Sequence, residues 1–213
     1  MATHARRHDS AGTRSAILKA AEHIYAEYGL AGARTDAIAA AAGVNKALLY
    51  YYFKSKEDLH EAVIGSQLRE FGRRSKELLS AEGPAGPILL QYIDYHFDFI
   101  GQHPSYPRIF QRIMMEGERT LLRIAREHSM PLRKMLVALL TRGMNSGEFR
   151  HLDPDHTVVS ISGIMGHYFN IAPAIRAITG QDPYDKTNLA RRKAEVVKFI
   201  RYALFRNPEA EEK

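Results

Sequence analysis

The segment TDAIAAAAGVNKALLYYYFKSKED, residues 35–58, restricts the fold of this chain more than any other. Thr35 is a candidate N-cap for a short helix of mostly small side chains, which a second helix can approach closely. Gly43 stands where a left-handed glycine ends a helix, and Asn45 can cap the helix that follows. The segment therefore predicts two short helices joined by a tight turn that contains glycine.

The second of these helices, Lys46 to Phe53, cannot be buried on all sides. Leu49 and Phe53 are four residues apart and predict its one buried face. Tyr50, Tyr51 and Tyr52 are consecutive, so they point about 100° apart and at least one of them must face outward. An exposed Tyr between lysines suits a phosphate contact. Two helices joined in this way form a helix-turn-helix, whose second helix enters the DNA major groove. On spacing alone, a pair of core helices with a solvated lysine face is the alternative.

This arrangement resembles the tetracycline-repressor (TetR) family of bacterial transcription regulators. The matching positions run without a gap: Thr35, Ile38-Ala39, Ala42-Gly43-Val44, Leu49-Tyr50, Tyr52-Phe53 and Ser55-Lys56. Ala47 and Leu48 stand where the family often has Gly and Thr or Ser, at the part of the recognition helix nearest the bases. The resemblance implies sequence-specific binding to double-stranded DNA.

The candidate DNA-contacting residues follow from the resemblance and from the outward positions of the second helix. We expect Lys46 to approach base edges and Leu48 to meet a thymine methyl group. Phosphate contacts are expected from Tyr51, Tyr52 and others. The full set is Thr35, Asn45, Lys46, Ala47, Leu48, Tyr50, Tyr51, Tyr52 and Lys56.

Composition agrees with a DNA-binding protein and excludes several other classes. The chain of 213 residues has no Cys, which excludes disulfides and thiolate metal sites and favours a cytoplasmic protein. No apolar run approaches the roughly 20 residues that span a bilayer, and the N-terminus lacks the apolar core of a secretory signal. The net charge is +6. Residues 1–56 hold eight Lys/Arg and four Asp/Glu, so most of the charge lies with the motif.

Periodicity along the chain predicts an all-α protein in two parts. Residues 1–12 form a flexible arm, in which Arg6 and Arg7 either reach a DNA minor groove or carry incidental charge. Residues 13–54 form a three-helix DNA-binding unit, 55–206 a helical effector-binding and dimerisation domain, and 207–213 an acidic tail. The predicted helices are 13–28, 56–79, 87–102, 105–116, 118–127, 130–146, 154–178 and 187–205.

Apolar and aromatic residues in the central helices predict a pocket for a small apolar or amphipathic effector. Core packing is the alternative for each of them, because aromatic stripes at helical spacing are usually core. The candidates are Tyr92, His96, Phe99, Phe110, Gln111, Met114, Met144, Met165, Tyr168 and Phe169. No recognisable ligand spacing indicates a metal or other cofactor, and no catalytic motif indicates an enzyme.

The sequence thus predicts a homodimeric repressor that reads a palindromic operator and responds to a small molecule. One helix-turn-helix contacts too few base pairs for useful specificity, so two copies are expected. Val196, Val197, Ile200 and Leu204 give the last helix an apolar face, which predicts a dimer through the last two long helices. That face could equally pack within one chain. An all-helical protein that binds a protein partner is the other functional interpretation.

Overall fold

The computed structural model describes residues 2–104, 106, 107, 111, 115, 122 and 125–209, and the backbone only of residues 2–9. Its α-helices are α1 (Ala2–Gly32), α2 (Thr35–Ala41), α3 (Lys46–Tyr52), α4 (Lys56–Leu79), α5 (Ala85–Gln102), α6 (Met130–Asn145), α7 (Pro154–Asn170), α8 (Ala172–Thr179) and α9 (Lys186–Leu204). A π-helical turn, Ala125–Ser129, leads into α6. Within the described residues the only β-type pairing is one bridge between Phe149 and Phe205, so the predicted all-α fold is confirmed. The predicted helices 105–116 and 118–127 lie largely outside the described residues.

The first helix begins earlier than the sequence predicts. The residues predicted as a flexible arm are helical from Ala2 onward. This stretch is rich in Ala and Arg, which favour helix, and Gly12 costs only about 1 kcal/mol relative to Ala. The predicted stop at Gly29 is a kink with φ 70° and ψ −179°, after which the helix continues to Gly32. The side chains of Arg6 and Arg7 lie outside the described part, so their minor-groove contact stays a prediction.

Two hydrophobic clusters hold the protein together, and α4 belongs to both. The N-terminal cluster comprises Ile17, Ala21, Ile24, Tyr25, Ala26, Ala33, Ile38, Ala39, Leu49, Phe53, Leu59, Val63, Ile64 and Leu68. The C-terminal cluster surrounds α5 and includes Phe71 and Leu79 at the far end of α4. The predicted division after residue 54 falls before α4, whereas packing divides the chain within this helix.

The start of α5 is held by a residue that is distant in the sequence. Pro84 precedes the helix and supplies no side-chain cap. The carboxylate of Glu148 instead accepts hydrogen bonds from the backbone N–H groups of Ala85 (3.1 Å) and Gly86 (2.8 Å), and from the Ser146 hydroxyl (2.8 Å). Burial alone would raise the pKa of Glu148, but these hydrogen bonds outweigh it and the pKa is lowered.

The helix predicted over 154–178 is two helices in the structure. α7 ends at Asn170 and α8 begins at Ala172, with a bend of 56° between them. Pro173 is in the first turn of α8. Proline has no N–H for the carbonyl four residues earlier and its ring clashes with that carbonyl, so a straight helix cannot continue through this position.

The apolar face of α9 packs within the chain, which corrects one expectation about the dimer. Val196, Ile200 and Leu204 are at most 4% exposed and belong to the C-terminal cluster, against which Val197 also packs. α9 lies between α5 and α7, so its apolar face is covered by its own chain. The exposed large apolar side chains of these two helices are Val159 on α7 and Phe199 and Tyr202 on α9.

In the described part of the chain, no single helix has both the length and the apolar composition to cross a membrane. Only when the bent pair α7 and α8 is counted together does it reach that length and composition, and one face of α7 is buried in the C-terminal cluster. The described residues also form no group of three or more His, Asp or Glu side chains that could hold a metal ion.

Candidate nucleic-acid interface and effector region

The turn between α2 and α3 has the geometry that the sequence predicts. Gly43 has φ +68°, a conformation that costs glycine little. The N–H of Val44 donates to the carbonyl of Ala39 (2.9 Å) and that of Gly43 to Ala40 (3.1 Å), the paired bonds of a Schellman motif. The Asn45 side chain then accepts from the N–H of Leu48 at 2.8 Å and caps α3. Hydrogen bonds between residues close in the sequence thus fix the direction of α3.

Thr35 does not cap α2. The N-cap is Arg34, which makes no side-chain cap bond, and Thr35 is the first helical residue. Its hydroxyl is buried and accepts a hydrogen bond from the Tyr50 hydroxyl at 3.4 Å. Thr35 and Tyr50 therefore connect the two helices of the motif.

The outward surface of α3 carries the polar and aromatic side chains that the sequence places there. Leu49 is the one buried residue of this helix. Tyr51 is 80% exposed, Tyr50 is 41% exposed, and the Tyr51 and Tyr52 rings meet edge to face at 5.3 Å. Asn45, Lys46 and Ala47 are exposed, and Leu48 and Tyr52 are half-buried. A helix with this exposure presents a short, mixed aromatic and basic ridge.

The ammonium group of Lys46 is bound to Asp36 of α2. Nζ lies 3.0 Å from Oδ1 and 3.1 Å from Oδ2, with about half of each side chain exposed. Asp36 is in the first turn of α2, where a negative charge is favourable to the helix dipole. Asp36 was not among the candidate residues. Its position in the sequence, next to Thr35 in the helix before α3, was the one indication that it could pair with a cation of the motif.

Lys56 has a structural contact that the sequence does not reveal. Its Nζ donates to the carbonyls of Ala33 (3.1 Å) and Ala31 (3.4 Å) at the end of α1. In return, the Tyr25 hydroxyl donates to the carbonyl of Lys56 at 2.8 Å. Burial raises the pKa of Tyr25, so this hydroxyl keeps its proton. The ammonium group of Lys56 is therefore occupied by carbonyls in the free protein, whereas Lys54, two residues earlier, is exposed.

The described candidate effector residues lie in two groups, one between α4 and α5 and one around Met165 and Phe169 of α7. Tyr92, His96 and Phe99 face α4, where the Phe71 ring lies 4.6 Å from the His96 ring and 5.2 Å from the Phe99 ring. Tyr106 contacts Phe99 on the same side, at 5.4 Å. These rings form an aromatic group between α4 and α5.

The remaining candidates lie elsewhere. Met165 is fully buried, and Phe169 and Met144 are buried with it in the C-terminal cluster. The Tyr168 hydroxyl donates to the carbonyl of Pro183 at 3.1 Å. Met144, Met165 and Phe169 are thus buried side chains of this cluster and Tyr168 packs against it, and their contact with an effector stays a prediction. Gln111 is exposed, and Phe110 and Met114 lie outside the described residues.

His96 has a polar atom that is buried without a hydrogen bond, as does Ser75 of α4. Among the described residues, Nδ1 of His96 has no hydrogen-bond partner and no contact with solvent. Burial lowers the pKa of His96 to about 4, so the ring is neutral near pH 7. A buried polar atom of this kind costs free energy until a partner reaches it.

Two cavities lie beside these regions. A groove of about 310 Å³ between α7 and α9 is lined by Phe199, Ile164 and Ile161, among others. A cleft of about 1080 Å³ separates α1, at Lys19 and His23, from α8.

The chain is similar to known regulators over most of its length. A family model described as "Bacterial regulatory proteins, tetR family" matches residues 17–63, and one described as "Tetracyclin repressor-like, C-terminal domain" matches residues 88–200. The HTH-type transcriptional regulator RutR of Escherichia coli (strain K12) is 31% identical over 78% of each chain. The HTH-type transcriptional repressor SCO4008 of Streptomyces coelicolor is 28% identical over 80% of this chain and 84% of that protein. The crystal structure of SCO4942 from Streptomyces coelicolor has a TM-score of 0.66 at 25% identity, covering 89% of this chain and 97% of that one.

Proposed function

Because the chain belongs to the tetR family of bacterial transcriptional regulators, we propose that it acts as a homodimeric repressor that binds a specific operator. A small molecule bound in the C-terminal domain would change its affinity for that operator. The observation that carries the proposal is the capped, outward-facing helix α3 with Tyr51 80% exposed. No catalytic role is proposed, and the site of action is the cytoplasm, where the operator lies.

We propose that α3 lies in the major groove, with its N-terminal residues at the base edges. Lys46, Ala47 and Leu48 occupy this end of the helix, directly after the Asn45 cap. Tyr51, at the other end of the ridge, reaches a phosphate. Tyr50 and Tyr52 would then contact the DNA backbone along the α2–α3 edge, and the exposed Lys54 would add a cation there. Thr35, whose hydroxyl is buried, would act indirectly through its hydrogen bond with Tyr50. Lys56 contributes indirectly, through its bonds to the end of α1.

The proposed dimer forms through the outer surfaces of α7 and α9. Val159 and Phe199 are each 61% exposed and Tyr202 is 48% exposed. Phe199 also lines the apolar groove between the two helices. Gly163 and Gly166 on α7 have open space above them, so a second copy can approach the backbone closely. Two such helix pairs would form a four-helix bundle and place two copies of α3 on one face of the DNA.

The proposed effector site is the aromatic group between α4 and α5, with His96 as its polar contact. Neutral His96 can form one hydrogen bond with a ligand through Nδ1, and the rings of Phe71 and Phe99 supply apolar contact. An uncharged amphipathic molecule fits these groups. Because Phe71 is on α4, a ligand here acts directly on the helix that carries the DNA-binding unit.

Two measurements test the dimer and the DNA binding together: sedimentation of the protein, and titration of the DNA upstream of its gene with the protein. Phe199→Glu should give a folded monomer in sedimentation, because it adds a charge to the proposed interface without touching the core. Operator affinity should then fall by at least about 100-fold, since two linked copies gain 10²–10⁴-fold over one. Ile178→Glu is the matched control, because Ile178 is 83% exposed but lies on α8. A parent protein that sediments as a monomer, or a Phe199→Glu variant that binds like the parent, contradicts the proposal.

A further inference from the structure

The Asp36–Lys46 ion pair joins the two helices of the motif at the surface that faces DNA. Both carboxylate oxygens lie within hydrogen-bond distance of Nζ, at 3.0 and 3.1 Å. Lys46 is the first residue of α3, where a positive charge is unfavourable to the helix dipole. Asp36, at the corresponding end of α2, offsets that charge. The pair is thus electrostatically favourable for both helices in the free protein.

We propose that Asp36 is a selectivity residue that keeps Lys46 out of sequence-independent phosphate contacts. This inference rests on the proposed orientation of α3 on DNA. On unrelated DNA, Lys46 remains neutralised by Asp36 and displaces no counterion from the duplex. At the operator, acceptors on the base edges replace the carboxylate, and Lys46 leaves Asp36 to bind them. Asp36 therefore weakens binding to unrelated DNA more than it weakens binding to the operator.

Chemistry and geometry both favour this role over simple repulsion of DNA by an acidic residue. Both oxygens of the Asp36 carboxylate lie within 3.1 Å of Lys46 Nζ, so the carboxylate faces the ammonium group of its own chain. Each cation that reaches a phosphate steepens the salt dependence of the affinity by about 0.9. An ammonium group that is held by its own chain does not contribute that increment. The salt dependence thus reports whether Lys46 is held.

Binding to a random-sequence 20-base-pair duplex, measured by fluorescence anisotropy between 50 and 200 mM salt, tests the proposal without knowledge of the operator. Asp36→Asn should raise affinity at 0.1 M salt by roughly fivefold and steepen the log–log salt slope by about 0.9, because one more cation reaches a phosphate. Asp58→Asn is the matched control. It removes the same charge from the first turn of α4, at a residue that is not paired with Lys46.

The same measurements in the Lys46→Gln background distinguish neutralisation of Lys46 by Asp36 from direct repulsion of DNA by Asp36. In this background Asp36→Asn should change neither the affinity nor the slope, because there is no lysine to free. In the parent, Lys46→Gln should leave the random-duplex slope nearly unchanged. An equal gain from Asp36→Asn in both backgrounds means direct repulsion and overturns the proposal, as does no gain in either. If Lys46→Gln also leaves operator affinity intact, the orientation of α3 is wrong, which is a separate readout.

Discussion

Helices α3 and α5 are both rich in aromatic residues, yet they expose and bury them in opposite ways. Tyr50 and Tyr51 of α3 are 41% and 80% exposed, whereas Tyr92 and Phe97 of α5 are 3% and 1% exposed. α3 has one buried residue, Leu49, whereas α5 has nine and is surrounded by α4, α6, α7 and α9. Burial of an aromatic ring therefore depends on how many helices surround it. A helix with one covered side leaves its remaining rings available to a partner.

The largest effect is expected at Leu49, the one buried residue within α3. Leu49→Ala should cost about 2–5 kcal/mol, because Leu49 is fully buried and the gap cannot be filled by the short helix around it. Amides of α3 should lose their protection from hydrogen exchange, and DNA binding should disappear.

Leu89→Ala is the matched change in α5, at a residue that is equally buried. It should cost a similar free energy in chemical denaturation while α5 keeps its exchange protection, because eight other buried residues still hold it. Retained DNA binding in Leu49→Ala would show that α3 does not depend on this single contact.

An intermediate effect is expected at the start of each helix. Glu148→Gln removes the charged acceptor of two α5 amides and should cost about 1–3 kcal/mol. Because the pKa of Glu148 is lowered in the folded protein, its contribution is complete above the ordinary pKa of Glu and is lost as the pH falls through the lowered value. The difference between parent and variant in urea denaturation should therefore shrink in strong acid.

Asn45→Ala, which removes the local cap of α3, provides the comparison. It should cost about 0.5–2 kcal/mol with no dependence on acid, because the amide side chain does not titrate. If the loss of unfolding free energy in Glu148→Gln stays the same in strong acid, the role assigned to the carboxylate is wrong.

The smallest effect is a gain in stability. His96→Leu should raise the free energy of unfolding by about 1 kcal/mol, because it removes a buried polar atom without a hydrogen-bond partner. In the parent, the folded pKa of about 4 lies below that of the unfolded chain, so unfolding takes up a proton and stability falls as pH drops from about 6.5 to 4. The variant should lack that slope in thermal melts. Unchanged slopes in the two proteins would mean that His96 does not titrate in this range.

The DNA-binding motif could be predicted because its determinants are neighbours in the chain. Gly43 ends α2 and Asn45 caps α3 through bonds that span no more than five residues. The consecutive tyrosines indicated an exposed ring for a reason that holds on any helix. The ion pair of Asp36 with Lys46 required the angle between two helices, and that angle is not encoded by local spacing.

The C-terminal domain was harder to predict because its determinants are distant. The cap of α5 comes from Glu148, more than sixty residues away. An apolar stripe on α9 does not indicate whether its own chain or a second copy covers it, and for Ile200 the answer was its own chain. The break between α7 and α8 could have been predicted, because Pro173 lies inside the stretch assigned to one helix and a straight helix cannot continue through it.

The bonds between Lys56, Tyr25 and the end of α1 should make the DNA-binding unit move together with α4. Tyr25 and Lys56 fasten α1 to the first turn of α4, so a tilt of α4 swings α1, α2 and α3 together. α4 has 24 residues and is about 36 Å long, so a tilt of about 5° at its far end moves the DNA-binding unit by about 3 Å. In the proposed dimer, the two copies of α3 must lie about 34 Å apart to meet successive major grooves, so a tilt of α4 by a few degrees would move them away from the spacing that binds DNA.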